Sequence, residues 1–174
     1  RNYCRENGIS KPGDPQDFQM IYLVDMEHPG LVVFPTHRLV RDLPNFDKEA
    51  VLEKCSEFFY IDEKEGTDTM EEDLKKLYDE GKKAFGFYCG KGEWFLLTLK
   101  NIDFMSQMLP NVSKASQSLD VSVLHTLILE KIFGIDKENM AKQINLTYTK
   151  FFTEAIDGVD KGEFQCSFVL NPTR

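Results

Sequence analysis

The sequence predicts a mixed α/β fold, with a central, partly antiparallel sheet, helices packed on it, and a βαβ unit at the C-terminus. Three observations carry that expectation. Two apolar runs, 84–89 and 94–99, flank Gly90-Lys91-Gly92 and read as a β-hairpin. Residues 119–133 form a helix whose polar stripe is only Ser122, Thr126 and Glu130, so it packs on several sides. The last unit runs strand 144–149, helix 152–161, Gly162, strand 165–170, which is long enough for a right-handed parallel crossover. A sheet and helices with these apolar faces bury them against one another.

The remaining elements follow in order. Residues 1–7 read as the tail of a helix stopped by Gly8, a residue that accepts the left-handed cap conformation. A helix entered partway suggests the C-terminal part of something longer. Residues 10–16, with two prolines and a glycine, form a connector. The run 17–26 reads as a buried strand, 27–30 as a turn, and 31–34 as a returning strand. Asp47 is an N-cap for a helix presenting Val51, Leu52 and Cys55, and 58–61 is a possible short strand. Thr69 and Glu72 have the spacing of a capping box, and Met70, Leu74, Leu77 and Tyr78 recur at helical intervals up to Gly81. Residues 101–110 fit no single pattern, and 111–118 are a polar loop. Gly134 ends the long helix and Asp136 caps a shorter one to about Gln143. The expected organisation is one domain over 1–174, with possible lobes 1–115 and 116–174.

Composition narrows the function classes. Hydrophobic residues at 41% and charged residues at 29% are a globular balance, and no apolar run is long enough for a membrane helix. The net charge of −8, with no stripe of Lys and Arg, argues against nucleic acid as a partner. Cys4, Cys55, Cys89 and Cys166 are scattered without a Cys-x-x-Cys pair, which points to buried, reduced thiols in a cytoplasmic protein and offers no zinc signature. Gly86, Gly90 and Gly92 lack the spacing of a phosphate loop, and no Ser or Cys nucleophile motif is present.

The chemistry concentrates in two places. Phe34-Pro35-Thr36-His37-Arg38 puts a hydroxyl, an imidazole and a guanidinium side by side at an expected strand end. A guanidinium offers a planar fork to oxyanions, so Thr36, His37 and Arg38 are candidate ligands for a phosphate-bearing small molecule. The competing structural reading pairs Arg38 with a carboxylate such as Asp42. Asn171-Pro172-Thr173-Arg174 closes the chain, and on a parallel strand Asn171, Thr173 and Arg174 would lie at the carboxyl end, where α/β sheets bind ligands. The structural reading there is a turn in which Asn171 bonds its own backbone. Asp120 and His125 are five apart and do not stack on one α-helical face, so they read as a helix-start residue and a half-buried histidine. His28 reads as incidental to a turn.

Three stretches carry a resemblance: 34–40 (Phe-Pro-Thr-His-Arg-Leu-Val), 119–125 (Leu-Asp-Val-Ser-Val-Leu-His) and 170–174 (Leu-Asn-Pro-Thr-Arg). With their spacing they resemble the bacterial and archaeal domain-of-unknown-function family 1015. The resemblance implies an N-terminal region, ending in an Asp-Gly-His-His-Arg box, ahead of a helix like 1–7. That box is similar to one in ParB-like proteins, some of which bind nucleotides or phosphorylate free serine. The resemblance therefore implies a nucleotide-using phosphotransferase, with ATP or ADP and Mg in the full-length protein and the catalytic carboxylate in the N-terminal region. That region would be this chain's own partner, and the fragment alone would be inactive. The alternative is a non-catalytic ligand-sensing or assembly domain.

Overall fold

The computed structural model describes every residue of the chain except Arg1, Ser10, Pro12, Gln16, Asp17, Met26, Glu27, Pro29, Thr173 and Arg174. The chain divides into two units, 1–32 and 33–174. The division expected near residue 115 instead falls inside the second unit, because strands from both sides of it share one sheet.

That sheet comprises β1 (His37–Val40), β2 (Phe59–Glu65), β3 (Ala84–Tyr88), β4 (Glu93–Leu99), β5 (Leu146–Thr149) and β6 (Cys166–Val169), in the order β2-β4-β3-β6-β1-β5. Every neighbouring pair among the described strands is antiparallel. The fold is the mixed α/β type the sequence predicts, and the β3–β4 hairpin forms as expected. The terminal βαβ unit differs in one respect. Its strands β5 and β6 run parallel, but β1 is inserted between them and pairs with both, so no parallel hydrogen-bonded pair exists there. The sheet is antiparallel where a mixed one was expected.

The continuous apolar runs follow from cover on both faces. Successive side chains alternate across a strand. Phe85, Phe87, Phe95 and Leu97 therefore enter one core, while Ala84, Tyr88, Trp94 and Leu96 enter another. The second core is closed by α3 (Met70–Asp79) and α8 (Phe152–Asp160) through Met70, Leu74, Ala155, Ile156 and Val159. The first is closed by α2 (Lys48–Cys55), α4 (Asp103–Met108), α6 (Asp120–Val123), the π-helical segment Leu124–Glu130 and α7 (Lys137–Lys142). At its centre Phe87 stacks on Phe168 with ring centroids 4.9 Å apart. Gly86 leaves room for Met70, whose Sδ would lie 3.1 Å from an added Cβ.

Capping is partly as expected. Asp47 accepts from the Glu49 N–H at 3.0 Å and Asp136 from the Asn139 N–H at 2.8 Å. Thr69 sits at the start of α3, but its side chain makes no capping bond and its backbone is already helical, so the capping box is absent. The ambiguous stretch 101–110 contains α4, and the polar loop contains a short helix, α5 (Lys114–Gln117), capped by Ser113. The long apolar helix is not uniform. After α6 it widens into the π segment, with i→i+5 bonds from the Lys131 N–H to the Thr126 carbonyl (3.2 Å) and the Phe133 N–H to the Ile128 carbonyl (3.0 Å).

In the first unit α1 (Asn2–Glu6) ends as expected, with Gly8 at φ 66° and the Ile9 N–H donating to the Cys4 carbonyl at 2.8 Å. The two strands expected over 17–26 and 31–34 are not found among the described residues. Met20 and Tyr22 are 95% and 92% exposed, so apolarity here is not burial. A strand needs a pairing edge as well as an apolar sequence. Both edges of the nearest strand in sequence, β1, are taken by β5 and β6. The four cysteines are free; Cys55 and Cys166 are buried, whereas Cys4 and Cys89 are half-buried.

The α8–β1 contact sets a packing test. A Cβ on Gly158 would meet the Phe164 ring at 2.9 Å and Leu39 at 3.2 Å. Gly158→Ala gains about 1 kcal/mol of helix propensity but overpacks at a cost of roughly 1–3 kcal/mol. The expected outcome is net destabilisation of about 1 kcal/mol in urea unfolding. A more stable variant would show that this interface has slack.

Candidate functional site

The stretch 34–38 does not end a strand, as the sequence suggested; it leads into β1, a strand inside the sheet. Thr36 is exposed, whereas His37 and Arg38 are 1% and 5% exposed. Adjacent strand residues face opposite sides. Accordingly His37 turns toward α8, with its ring edge-on to Phe152 at 6.5 Å, while Arg38 turns toward the π segment and β5. Thr36, His37 and Arg38 therefore do not converge on one point.

Arg38 forms its own cluster. Its Nη1 donates to the Thr36 carbonyl, its Nη2 lies 3.3 Å from His125 Nε2, and its Cζ sits 5.2 Å from the centre of the Tyr148 ring. Its Nε has no partner among the described residues. No carboxylate among the described residues pairs with it. Asp42, the carboxylate expected to do so, instead lies 3.8 Å from Arg41. Burial pulls the guanidinium below its ordinary range, and a Coulombic interaction with Tyr148 pulls the other way.

Hydrogen bonding fixes both imidazoles. Arginine only donates, so His125 Nε2 accepts and its proton sits on Nδ1. His37 Nδ1 accepts from the Leu170 N–H at 3.2 Å, so its proton is on Nε2, a buried donor without a partner among the described residues. Burial first, and the Arg38 charge second, push both histidines down to about 4. Each lone pair is already occupied. His37 is therefore not set up as a general base, a role its sequence position had left open.

The second cluster lies next to the first in one respect. Antiparallel pairing of β1 with β6 brings the start of one beside the end of the other. Pro35, Asn171 and Pro172 line the same cavity of about 360 Å³ with Leu74 and Val169. Asn171 Nδ2 donates to the Leu74 carbonyl at 3.0 Å, tying the tail to α3, while the turn expected after it falls on Thr173, outside the described residues. Both neighbours of β6 are antiparallel, so the end of β6 is not the crevice of a parallel α/β sheet. Thr173 and Arg174 lie outside the described residues. Asp120 is in the first turn of α6, as expected, and pairs with Lys83 at 3.0 Å. His28 accepts from the Gly30 N–H at 3.0 Å within its turn. Among the described residues no three His, Cys, Asp or Glu side chains converge to hold a metal ion.

Sequence reading missed His125 and Tyr148 as partners of Arg38. The available signal for His125 was its place on a helix too apolar to leave a histidine solvated. For Tyr148 it was an aromatic ring near the end of the expected strand 144–149. The arrangement presents a desolvated guanidinium beside an imidazole and an aromatic ring, with no nucleophile built into it among the described residues.

A pH test follows. Both histidines are depressed from 6.5 to about 4, so the unfolded chain binds protons that the folded chain refuses. Stability is fully present above pH 6.5 and is expected to fall toward pH 4, by at most on the order of 1 kcal/mol per pH unit for each histidine. Urea unfolding across that window checks it, and His125→Asn is expected to remove that residue's share of the slope. An unchanged slope would mean that His125 titrates normally when folded.

No curated protein matches this chain, and no solved structure does. A family model described as protein of unknown function (DUF1015) matches residues 1–122. That span holds β1 to β4, Thr36, His37 and Arg38. The chain belongs to this DUF1015 family.

Proposed function

We propose that the Arg38 cluster is an anion-binding centre for a phosphate-bearing small molecule, within a nucleotide-using small-molecule phosphotransferase that resembles free-serine kinases. In that reading the chain is the C-terminal part and the catalytic carboxylate is supplied by the protein's own N-terminal region. The supporting observation is a buried guanidinium that no described carboxylate neutralises. Burying a charge costs several kcal/mol unless it is compensated, and a ligand anion is the compensation an enzyme would use. ATP or ADP with Mg would serve the whole protein, and the Arg38 cluster supplies donors to oxyanion oxygens but no metal ligand. The four free cysteines suit a reducing, cytoplasmic setting.

A second reading, a non-catalytic sensing or assembly domain in which Arg38 is a latch, draws on the bond to the Thr36 carbonyl and the low exposure of Arg38. Arg38→Met separates the two. A latch replaced by Met is expected to lose about 1–3 kcal/mol from lost charged hydrogen bonds. A binding residue with no partner carboxylate is expected to leave stability unchanged or raised, since relief of buried charge by a well-packed hydrophobe is often favourable. The same variant is then expected to lose nucleotide binding by calorimetry in the intact protein. Retained binding of ATP and ADP in Arg38→Met would sink the proposed role.

A further inference from the structure

We infer that the Arg38 centre selects singly charged oxyanions, either a carboxylate or an internal, diester-like phosphate, over dianions such as a terminal phosphate. This rests on Arg38 being an anion-binding centre and adds the charge class of its ligand. The groups that bond or stack on Arg38 among the described residues are the Thr36 carbonyl on β1, the His125 imidazole on the π segment and the Tyr148 ring on β5. None of them is a second cation. His125 is held as an acceptor toward Arg38, so taking a proton at Nε2 would break that contact. On the opposite face of β1, His37 is turned toward Phe152.

The charge arithmetic decides the class. Attraction between one fixed positive charge and a ligand grows in proportion to the ligand's charge. The cost of stripping water from the ligand grows as the square of that charge in the Born picture that sets the scale for buried ions. A centre with one desolvated cation therefore gains twice the attraction from a dianion but meets four times the dehydration cost. The donor count does not narrow the class further: of the five Arg38 N–H groups, the Thr36 carbonyl and His125 take two, leaving three that include the Nε–H, so the charge argument carries the selection.

The test titrates the full chain at pH 8 and constant ionic strength with acetate, dimethyl phosphate and sulfate, following the Arg38 Nε–H resonance by NMR. The expected result is at least tenfold tighter binding of one or both monoanions than of sulfate, with the Nε–H signal shifting. Preference for acetate assigns a carboxylate ligand, and preference for dimethyl phosphate an internal phosphate. Sulfate binding as tightly as either monoanion while shifting Arg38 overturns the charge class but leaves the centre standing. If no anion shifts the Nε–H signal, both the inference and the anion-binding reading are overturned. The readout needs no variant, so it does not depend on Arg38→Gln folding; where that variant folds, its loss of binding is a second check.

Discussion

The insertion of β1 between β5 and β6 is the constraint on which the candidate site depends. The register joins His37 to Thr149 and Arg38 to both Tyr148 and Phe168. These pairings close loops of roughly a hundred residues, whereas β2, β3 and β4 lie within one local stretch. Loop closure must be met before such contacts return anything, so the distant half of the sheet is the slower half to assemble. Arg38 is desolvated only when that half is complete. The guanidinium that the site needs is thus a product of the least local pairing in the chain.

Burial on both faces explains how a guanidinium comes to be there. A strand inside this sheet has no solvent side, so every residue of β1 enters one core or the other. Leu39 meets α8 and Val40 joins the aromatic core around Phe168. Arg38 takes the one position where an aromatic ring, an imidazole acceptor and a carbonyl replace a counter-ion. A carboxylate would have made a closed ion pair, and among the described residues none does so here. Holding both histidines neutral keeps the cluster from becoming a repulsive group of cations.

Much of the second unit was legible because local signals agreed there with tertiary needs. Asp47, Asp136 and the glycine-bounded hairpin specify their elements from within a few residues. The misses share a physical form. The runs at 17–26 and 31–34 carry strand composition, but no composition records whether an edge is free to pair. The split of β5 from β6 depends on a strand placed a hundred residues earlier. The π segment depends on one extra residue per turn, which apolar periodicity over 119–133 does not resolve. Asp120 was read well because a helix's first turn is local; His125 was read correctly as half-buried, but its partner Arg38, on another element, was not foreseen.

The same geometry revises what the stretch at 34–38 can be. Adjacent in sequence, Thr36, His37 and Arg38 look like a three-part site, but the pleat sends His37 and Arg38 into different layers. A single ligand cannot be gripped by both side chains across the thickness of a sheet. The centre is instead Arg38 with His125 and Tyr148, drawn from three elements, while His37 fastens the Leu170 backbone on the other side. The two roles are nonetheless coupled through β1 itself. By holding the end of β6 against the start of β1, the His37 bond fixes the strand whose next residue carries the charge. His37 thus acts as a positioning residue for Arg38, and Asn171, bonded to α3 just beyond Leu170, extends that support into the helical layer.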